Sequence, residues 1–131
     1  MDSRERDLYA RLVLELSKFS ESKNPRSAII VGGNCIFGLS FSKIISPKNT
    51  SLDSSPILEA IAVFYKTHST PGEYFLISTY FPSYSEFEML SYTPIRKVYY
   101  MGDVNDEKAV LFINAHTKLI GEGFEIINLT F

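Results

Sequence analysis

The chain has 131 residues, of which 45% are hydrophobic and 21% charged, and its formal net charge is −2. This length can bury one sizeable core and is too short for two ordinary domains, so a single domain spanning 1–131 is expected. The near-neutral charge argues against a dedicated surface for duplex nucleic acid, and no apolar run is long enough to cross a membrane. A charged start and a single cysteine, Cys35, predict a cytoplasmic protein without an internal disulfide.

The first third of the chain predicts a helix followed by a β-hairpin. A wide apolar stripe at helical spacing indicates a first helix of about four turns, which ends at Asn24-Pro25. Two apolar runs, 28–31 and 35–41, flank the turn residues Gly32-Gly33-Asn34 and are typical of a hairpin. The stripe of the helix consists of Leu8, Leu12, Leu16 and Phe19, flanked by Tyr9 and Val13.

The stretch from Lys43 to Ser55 is rich in Ser, Pro, Asn and Lys, and we predict that it is the one long, mobile loop. A second helix begins at Ser55-Pro56, with serine as the cap and proline at the first helical position. This helix is apolar on nearly all sides, so it is expected to lie deep against a sheet.

Strands and helices alternate in the rest of the chain. A buried central strand is predicted at 74–79, a short helix from about Ser83 to Tyr92, and a strand at 97–101. The acidic start and basic end of Asp106 to Lys118 favour a helix, although its apolar centre also fits a strand. A last strand is predicted at 124–129. The fold class is therefore α/β, with a mixed sheet and helices on both faces.

Two short motifs open the second and third helices. They are Ile57-Leu58-Glu59 and Pro82-Ser83-Tyr84-Ser85-Glu86, and they stand in order with Phe37-Gly38, Ile95-x-x-Val98 and Gly123-Phe124. Over almost the whole chain this order resembles the cytidine and deoxycytidylate deaminase superfamily, the deoxycytidylate branch most closely. The resemblance implies a three-layer αβα sandwich with a five-stranded sheet and a pocket at the starts of the second and third helices.

The resemblance also shows which chemistry has changed. In the deaminase signature a His-x-Glu and a Pro-Cys-x-x-Cys supply three zinc ligands and a glutamate that moves protons. Here Ile57 stands at the histidine position, and Ser83 and Glu86 stand at the two cysteine positions, whereas Glu59 and Pro82 remain. At the end of the second strand, Ser40-Phe41-Ser42 replaces an asparagine that in the superfamily contacts the nucleoside.

Deamination by these enzymes needs a metal to activate water at neutral pH. Isoleucine cannot bind zinc, serine is a poor ligand, and one carboxylate does not replace three protein ligands. The other metal-binding residue types, Cys35, His68 and His116, show no metal-site spacing. We therefore expect no metal, no cofactor and no deamination.

The replacements are expected to stabilise the fold. Ser83-x-x-Glu86 matches a capping box, in which the serine hydroxyl and the glutamate carboxylate each accept a hydrogen bond from a backbone N–H of the other residue. Ile57 is expected to fill the volume of the lost imidazole with apolar packing. These substitutions indicate a protein adapted to fold without metal.

A remnant ligand pocket is the second feature that the resemblance implies. Glu59 has three readings: a proton shuttle, an acceptor for the amino edge of a base, or a first-turn residue that complements the helix dipole. Glu86 close to Glu59 would place two carboxylates in the same pocket. Tyr80, Phe81 and Tyr84 would stack on a base or pack in the core. The predicted ligand-binding residues are Glu59, Thr79, Tyr80, Phe81, Ser83 and Glu86.

Two functional hypotheses of different classes follow, and a third is weaker. The first is a catalytically inactive, metal-free deaminase-fold protein that works by association, as a homo-oligomer or with a protein partner. The second is a nucleotide sensor or sequestering protein that uses the remnant pocket. The third is an active deaminase with an altered site. Neither a membrane nor duplex nucleic acid is an expected partner.

Overall fold

The computed structural model describes residues 2–46, 49–66, 72–104, 106–120 and 123–129. The elements follow the predicted order, with two additional strands. The helices are α1 (Ser3–Ser17), α2 (Pro56–Lys66), α3 (Tyr84–Ser91) and α4 (Glu107–Ile120). The strands are β1 (Ser27–Gly32), β2 (Cys35–Phe41), β3 (Ile44–Ser46), β4 (Asn49–Asp53), β5 (Phe75–Ser78), β6 (Lys97–Tyr100) and β7 (Glu125–Asn128).

Five strands form one mixed sheet in the order β2-β1-β5-β6-β7. β1 is antiparallel to both β2 and β5, whereas β5, β6 and β7 are parallel. The two parallel connections pass through α3 and α4, and the right-handed rule for such crossovers places both helices on one face. The predicted α/β class, the five-stranded mixed sheet and the helices on both faces are confirmed.

Each face of the sheet has its own apolar core. On one face Ile57, Phe64, Phe87 and Ala109 from α2, α3 and α4 pack against Ile30 and its neighbours. On the other face Ala10 and Val13 of α1 pack against alternate residues of the same strands, Ile29 and Ile77 among them. Because successive side chains of a strand point to opposite faces, both layers share one sheet.

α1 buries only part of its predicted apolar stripe. Only Ala10 and Val13 of α1 are fully buried, whereas Leu8, Leu12 and Phe19 of the predicted stripe are exposed by 66%, 41% and 71%. Helical periodicity identifies an amphipathic segment but not which part of a wide stripe touches the sheet. Here the helix packs on Ala10 and Val13, with Tyr9, Leu14 and Leu16 partly buried against the same core, so Leu8 and Leu12, the leucine ridge, face outward.

Three further predictions can be compared with the described residues. The predicted loop from Lys43 to Ser55 is wrong in part, because β3 and β4 form a separate two-stranded sheet there. The segment from Asp106 to Lys118, whose apolar centre also fitted a strand, forms the helix α4. α2 buries Ile57, Ala60 and Phe64 but exposes Tyr65, so it is less deeply enclosed than predicted. No described helix is long and apolar enough to cross a membrane.

Candidate functional site

The starts of α2 and α3 meet at the carboxylate of Glu86. This carboxylate is 3% exposed, and its Oε2 accepts hydrogen bonds from the hydroxyl of Ser55, at 2.6 Å, and from the hydroxyl of Tyr80. Its Oε1 accepts from the backbone N–H of Ser83 at 2.9 Å. One buried carboxylate therefore holds the first turns of two helices together.

Capping explains why the chain folds in this way locally. The hydroxyl of Ser83 accepts from the N–H of Glu86, which completes the predicted capping box at the start of α3. Ser55 caps α2 by accepting from the N–H of Leu58 at 3.1 Å. The same hydroxyl also donates to Glu86, so Ser55 accepts a hydrogen bond from α2 and donates one to α3.

Tyr80 completes the network from the loop that follows β5. Its hydroxyl donates to Glu86 and accepts from the backbone N–H of Ile57 at 3.4 Å. Burial, and then the charge of Glu86, raise the pKa of the Tyr80 hydroxyl above its ordinary value. The phenol therefore stays protonated as a hydrogen-bond donor throughout the physiological range.

The three positions that the resemblance places at zinc ligands do not offer a metal-binding set of side chains. Ile57 is fully buried in the apolar core and offers only carbon atoms, as expected from the sequence. The oxygens of Ser83 and Glu86 are engaged in the hydrogen bonds of the cap and the network. Within the described residues no group of three His, Cys, Asp or Glu side chains is placed to hold a metal ion. His68 and the side chain of His116 lie outside the described part.

A cavity of about 370 Å³ opens beside this network, at the carboxyl ends of β5 and β6. Five of the six predicted ligand-binding residues line it: Thr79, Tyr80, Phe81, Ser83 and Glu86. Seven further residues line the cavity, and the sequence patterns indicated none of them as ligand-binding. They are Asn24, Pro25, Arg26, Met101, Gly102, Asp103 and Asp106.

The lining side chains differ in their freedom to meet a ligand. Phe81 is buried against Phe87 and Tyr100, so it packs in the core. The Thr79 hydroxyl accepts from the N–H of Ser27 at 3.0 Å and so ties β5 to β1. Tyr84 contacts the ring of Phe112 edge to face and is not among the residues that line the cavity.

Charged groups in the cavity are mostly committed to internal contacts. Asp106 accepts from the backbone N–H groups of Tyr84 and Ala109, and these two hydrogen bonds hold the pKa of its carboxyl below the usual value. The Arg26 guanidinium lies 4.6 Å above the centre of the Tyr80 ring. Its buried Nε has no hydrogen-bond partner within the described residues.

Glu59 is the predicted site residue that does not line the cavity. Its Oε2 lies 3.1 Å from the ammonium of Lys43, which also donates to the hydroxyl of Ser40 and the carbonyl of Phe41. Glu59 and Glu86 thus belong to different hydrogen-bond networks, and the expected pair of carboxylates in one pocket stays a prediction. No pattern in the sequence indicated the Lys43 contact, which depends on the path of the chain after β2.

Comparisons with known proteins agree with this fold. The structure matches a dCMP deaminase from the cyanophage S-TIM5, solved in complex with dCMP and dUMP, with a TM-score of 0.81, 14% identity and coverage of 98% of this chain and 99% of that one. A tRNA A34 deaminase matches with a TM-score of 0.70 and 15% identity over 95% of this chain and 99% of that chain.

A third match is a diaminohydroxyphosphoribosylaminopyrimidine deaminase/5-amino-6-(5-phosphoribosylamino)uracil reductase from Thermotoga maritima, with a TM-score of 0.69 and 19% identity. The match covers 93% of this chain and 35% of that longer chain. No family model and no curated protein sequence matches. The resemblance to deaminases is thus confirmed at the level of fold.

Proposed function

We propose that the chain, as a single domain spanning 1–131, is a metal-free and catalytically inactive member of the cytidine and deoxycytidylate deaminase superfamily. The observation that supports this proposal is the buried Glu86 carboxylate, which joins the two helix starts that zinc ligands join in the superfamily. Without an activated water the chain has no nucleophile for the ring carbon of a base. We therefore expect the protein to have a role other than deamination.

The experiment is a metal and activity measurement on protein purified without chelator. We expect much less than one zinc per chain and no conversion of dCMP to dUMP, of cytidine to uridine or of adenosine to inosine, each of which would release ammonia. Stoichiometric zinc or any zinc-dependent deamination would overturn the proposal and favour the active enzyme.

A matched variant tests whether the positions correspond to those of the metal site. The triple substitution Ile57→His, Ser83→Cys and Glu86→Cys supplies the ligand set of the superfamily. We expect this variant to bind about one zinc per chain with the tetrahedral geometry of such sites. A folded triple variant that gains no zinc would contradict the correspondence on which the proposal rests.

We further propose that the protein works in the cytoplasm by association with other protein chains. Large apolar side chains are exposed along α1 and just beyond its end, including Leu8, Leu12 and Phe19. Contiguous exposed apolar surface is typical of interaction sites. The lone exposed cysteine suits a reducing compartment.

A nucleotide sensor is the second candidate function, and the cavity beside Tyr80 favours it. Its volume of about 370 Å³ is within the range of small-molecule sites, and Arg26 lines it with a positive charge that suits an anionic group. A nucleotide at a hundred times its dissociation constant would stabilise the protein by about 2.7 kcal/mol. A thermal-shift series with dCMP, dUMP and cytidine tests this candidate, and the absence of any shift would exclude it for those compounds.

A further inference from the structure

α1 and the edge strand β2 expose apolar side chains on the same face of the sheet. Ile36 pairs with Val31, and Leu39 pairs with Ile29; both partners are buried beneath α1, so Ile36 and Leu39 point to the α1 side. Ile36 and Leu39 are nevertheless 40% and 46% exposed. Together with the leucine ridge of the helix they form what we call the α1–β2 face: Leu8, Leu12, Phe19, Ile36 and Leu39.

The two elements of this face touch each other at its end. The rings of Phe19 and Phe41 lie 6.1 Å apart, so the ridge of the helix continues onto the strand. β2 contains neither a charged residue nor a proline, and no other described strand pairs with its outer edge. An uncharged apolar edge is a template for association unless the protein covers it.

The charges beside the leucine ridge indicate what covers the face. Arg4, Asp7, Arg11 and Glu15 are all exposed on α1, with two charges of each sign, and Glu15 also forms an exposed ion pair with Lys18 of its own chain. Suppose that a second copy of α1 packs antiparallel, with a two-fold axis at the level of Tyr9 and Ala10. Each of these charges then lies near a charge of opposite sign on the other copy. Arg4 then lies near Glu15, Asp7 near Arg11 and Leu8 near Leu12 of the other copy.

We propose that the α1–β2 face is the interface of a homodimer in which two copies of α1 pack antiparallel. A two-fold interface must be self-complementary, and this face matches itself in both apolar and charged positions. The contact is one of side chains, because the register shift between Ile30 and Val31 interrupts β2 and does not favour a continuous ladder between copies. The proposal rests on the proposed function, since it names a second copy as the associating partner.

Sedimentation equilibrium of the full chain is the first test. We expect twice the chain mass at protein concentrations of about 10 to 200 µM, a range that detects a dissociation constant of micromolar strength. A species of single chain mass at the highest concentration would overturn the proposal.

Charge exchange then locates the interface. One variant carries Arg4→Glu and Arg11→Glu, and a second carries Asp7→Lys and Glu15→Lys. In each variant the four charges beside the leucine ridge have the same sign, so each variant is expected to be monomeric. Mixed in equal amounts, the two variants are expected to form a heterodimer, because opposite charges again face each other. Two variants that each dimerise like the unchanged chain, or a mixture that stays monomeric, would contradict the antiparallel arrangement.

An apolar substitution with a matched control completes the test. Leu12→Lys on the face is expected to weaken the dimer at least about 10-fold, whereas Leu111→Lys on the exposed surface of α4 leaves it unchanged. Equal effects of both would overturn the proposal. Its failure is distinct from that of the proposed function: a monomer without zinc contradicts only the dimer, and a zinc-loaded dimer contradicts only the metal-free assignment.

Discussion

At the scale of single residues, one carboxylate determines how the two helix starts meet. Glu86 accepts from Ser55, Tyr80 and Ser83, so three donors from separate elements converge on a group with little exposure to water. Such convergence makes the removal of Glu86 more costly than the loss of one hydrogen bond, because each buried donor would be left without an acceptor.

The first prediction concerns this carboxylate. Glu86→Ala is expected to lower the free energy of unfolding by about 3 kcal/mol, and Glu86→Gln by about 1 kcal/mol, because the amide oxygen retains part of the acceptor role. Urea unfolding measures both. Glu88→Ala, an exposed position on the same helix, is the control and should change stability by less than about 0.5 kcal/mol. A comparable loss in the control would mean that α3 is sensitive at every position.

The second prediction concerns the pH dependence that Tyr80 introduces. Its pKa in the folded protein is raised above 10.0, so the folded state keeps a proton that the unfolded chain loses. The stability that this phenol contributes is full below about pH 10 and is lost at higher pH, by up to about 1.4 kcal/mol for each pH unit. Urea unfolding between about pH 8 and pH 11 should show this decline, and Tyr80→Phe should remove it. An identical decline in both proteins would assign it to other groups.

At the scale of elements, β2 and α2 approach unusually closely at Gly38. A Cβ at this position would lie 2.3 Å from the carbonyl oxygen of Ala60, closer than atoms can pack. The glycine is therefore required by helix–strand packing and not by a special backbone angle.

The third prediction follows from this contact. Gly38→Ala should lower the free energy of unfolding by about 2 kcal/mol, because the helix must move away from the sheet. Cys35→Ala, on the exposed start of the same strand, should change stability little. In an ordinary strand position the glycine-to-alanine change stabilises, so a gain in stability would show that β2 and α2 lie farther apart.

The β3–β4 hairpin is held at its base by contacts that the sequence did not indicate. Lys43 and Ser54 exchange hydrogen bonds, and the Lys43 ammonium reaches Glu59 on α2. Because Lys43 is exposed, its ion pair with Glu59 contributes little to stability. Its effect is expected to be local, on the attachment of the hairpin to the helix.

The fourth prediction tests this attachment by hydrogen exchange. Lys43→Met should speed exchange of the Ser54 amide by up to about five-fold, which corresponds to a loss of about 1 kcal/mol in local stability. Lys18→Met removes another exposed ion pair, with Glu15 on α1, and should leave the Ser54 amide unchanged. An unchanged Ser54 amide in Lys43→Met would show that the backbone bonds alone hold the hairpin.

At the scale of the whole molecule, the absence of zinc ligands in the two motifs has a direct consequence for stability. The two helix starts are joined by hydrogen bonds to Glu86, and the sheet has an apolar core on each face. In line with the proposed function, we expect these contacts to hold the fold without a bound metal.

The fifth prediction is that chelation leaves the protein unchanged. Dialysis against EDTA should not shift the melting temperature, whereas removal of a structural zinc would lower it by about 10 °C or more. The zinc-binding triple variant described above is the positive control and should lose stability on the same treatment. A chelator-sensitive unchanged chain would contradict the metal-free proposal.

Local patterns determined the parts of this protein that depend on neighbouring residues. The order of helices and strands, the turn at Gly33-Asn34 with its two positive φ angles, the capping box of Ser83 and Glu86, and the apolar role of Ile57 could all be predicted. Each follows from periodicity, capping or side-chain chemistry within a few positions. The deaminase-like order of the elements added the architecture of the sheet.

Only the tertiary structure decided which distant groups meet. Ser55 and Glu86 are 31 residues apart, and Lys43 and Glu59 are 16 apart, so no local pattern pairs either set. The same holds for Arg26 over Tyr80 and for the outward ridge of α1, whose stripe was predicted but whose buried side was not. The physical reason is that hydrogen bonds and burial depend on chain path, whereas sequence periodicity reports only on the element that carries it.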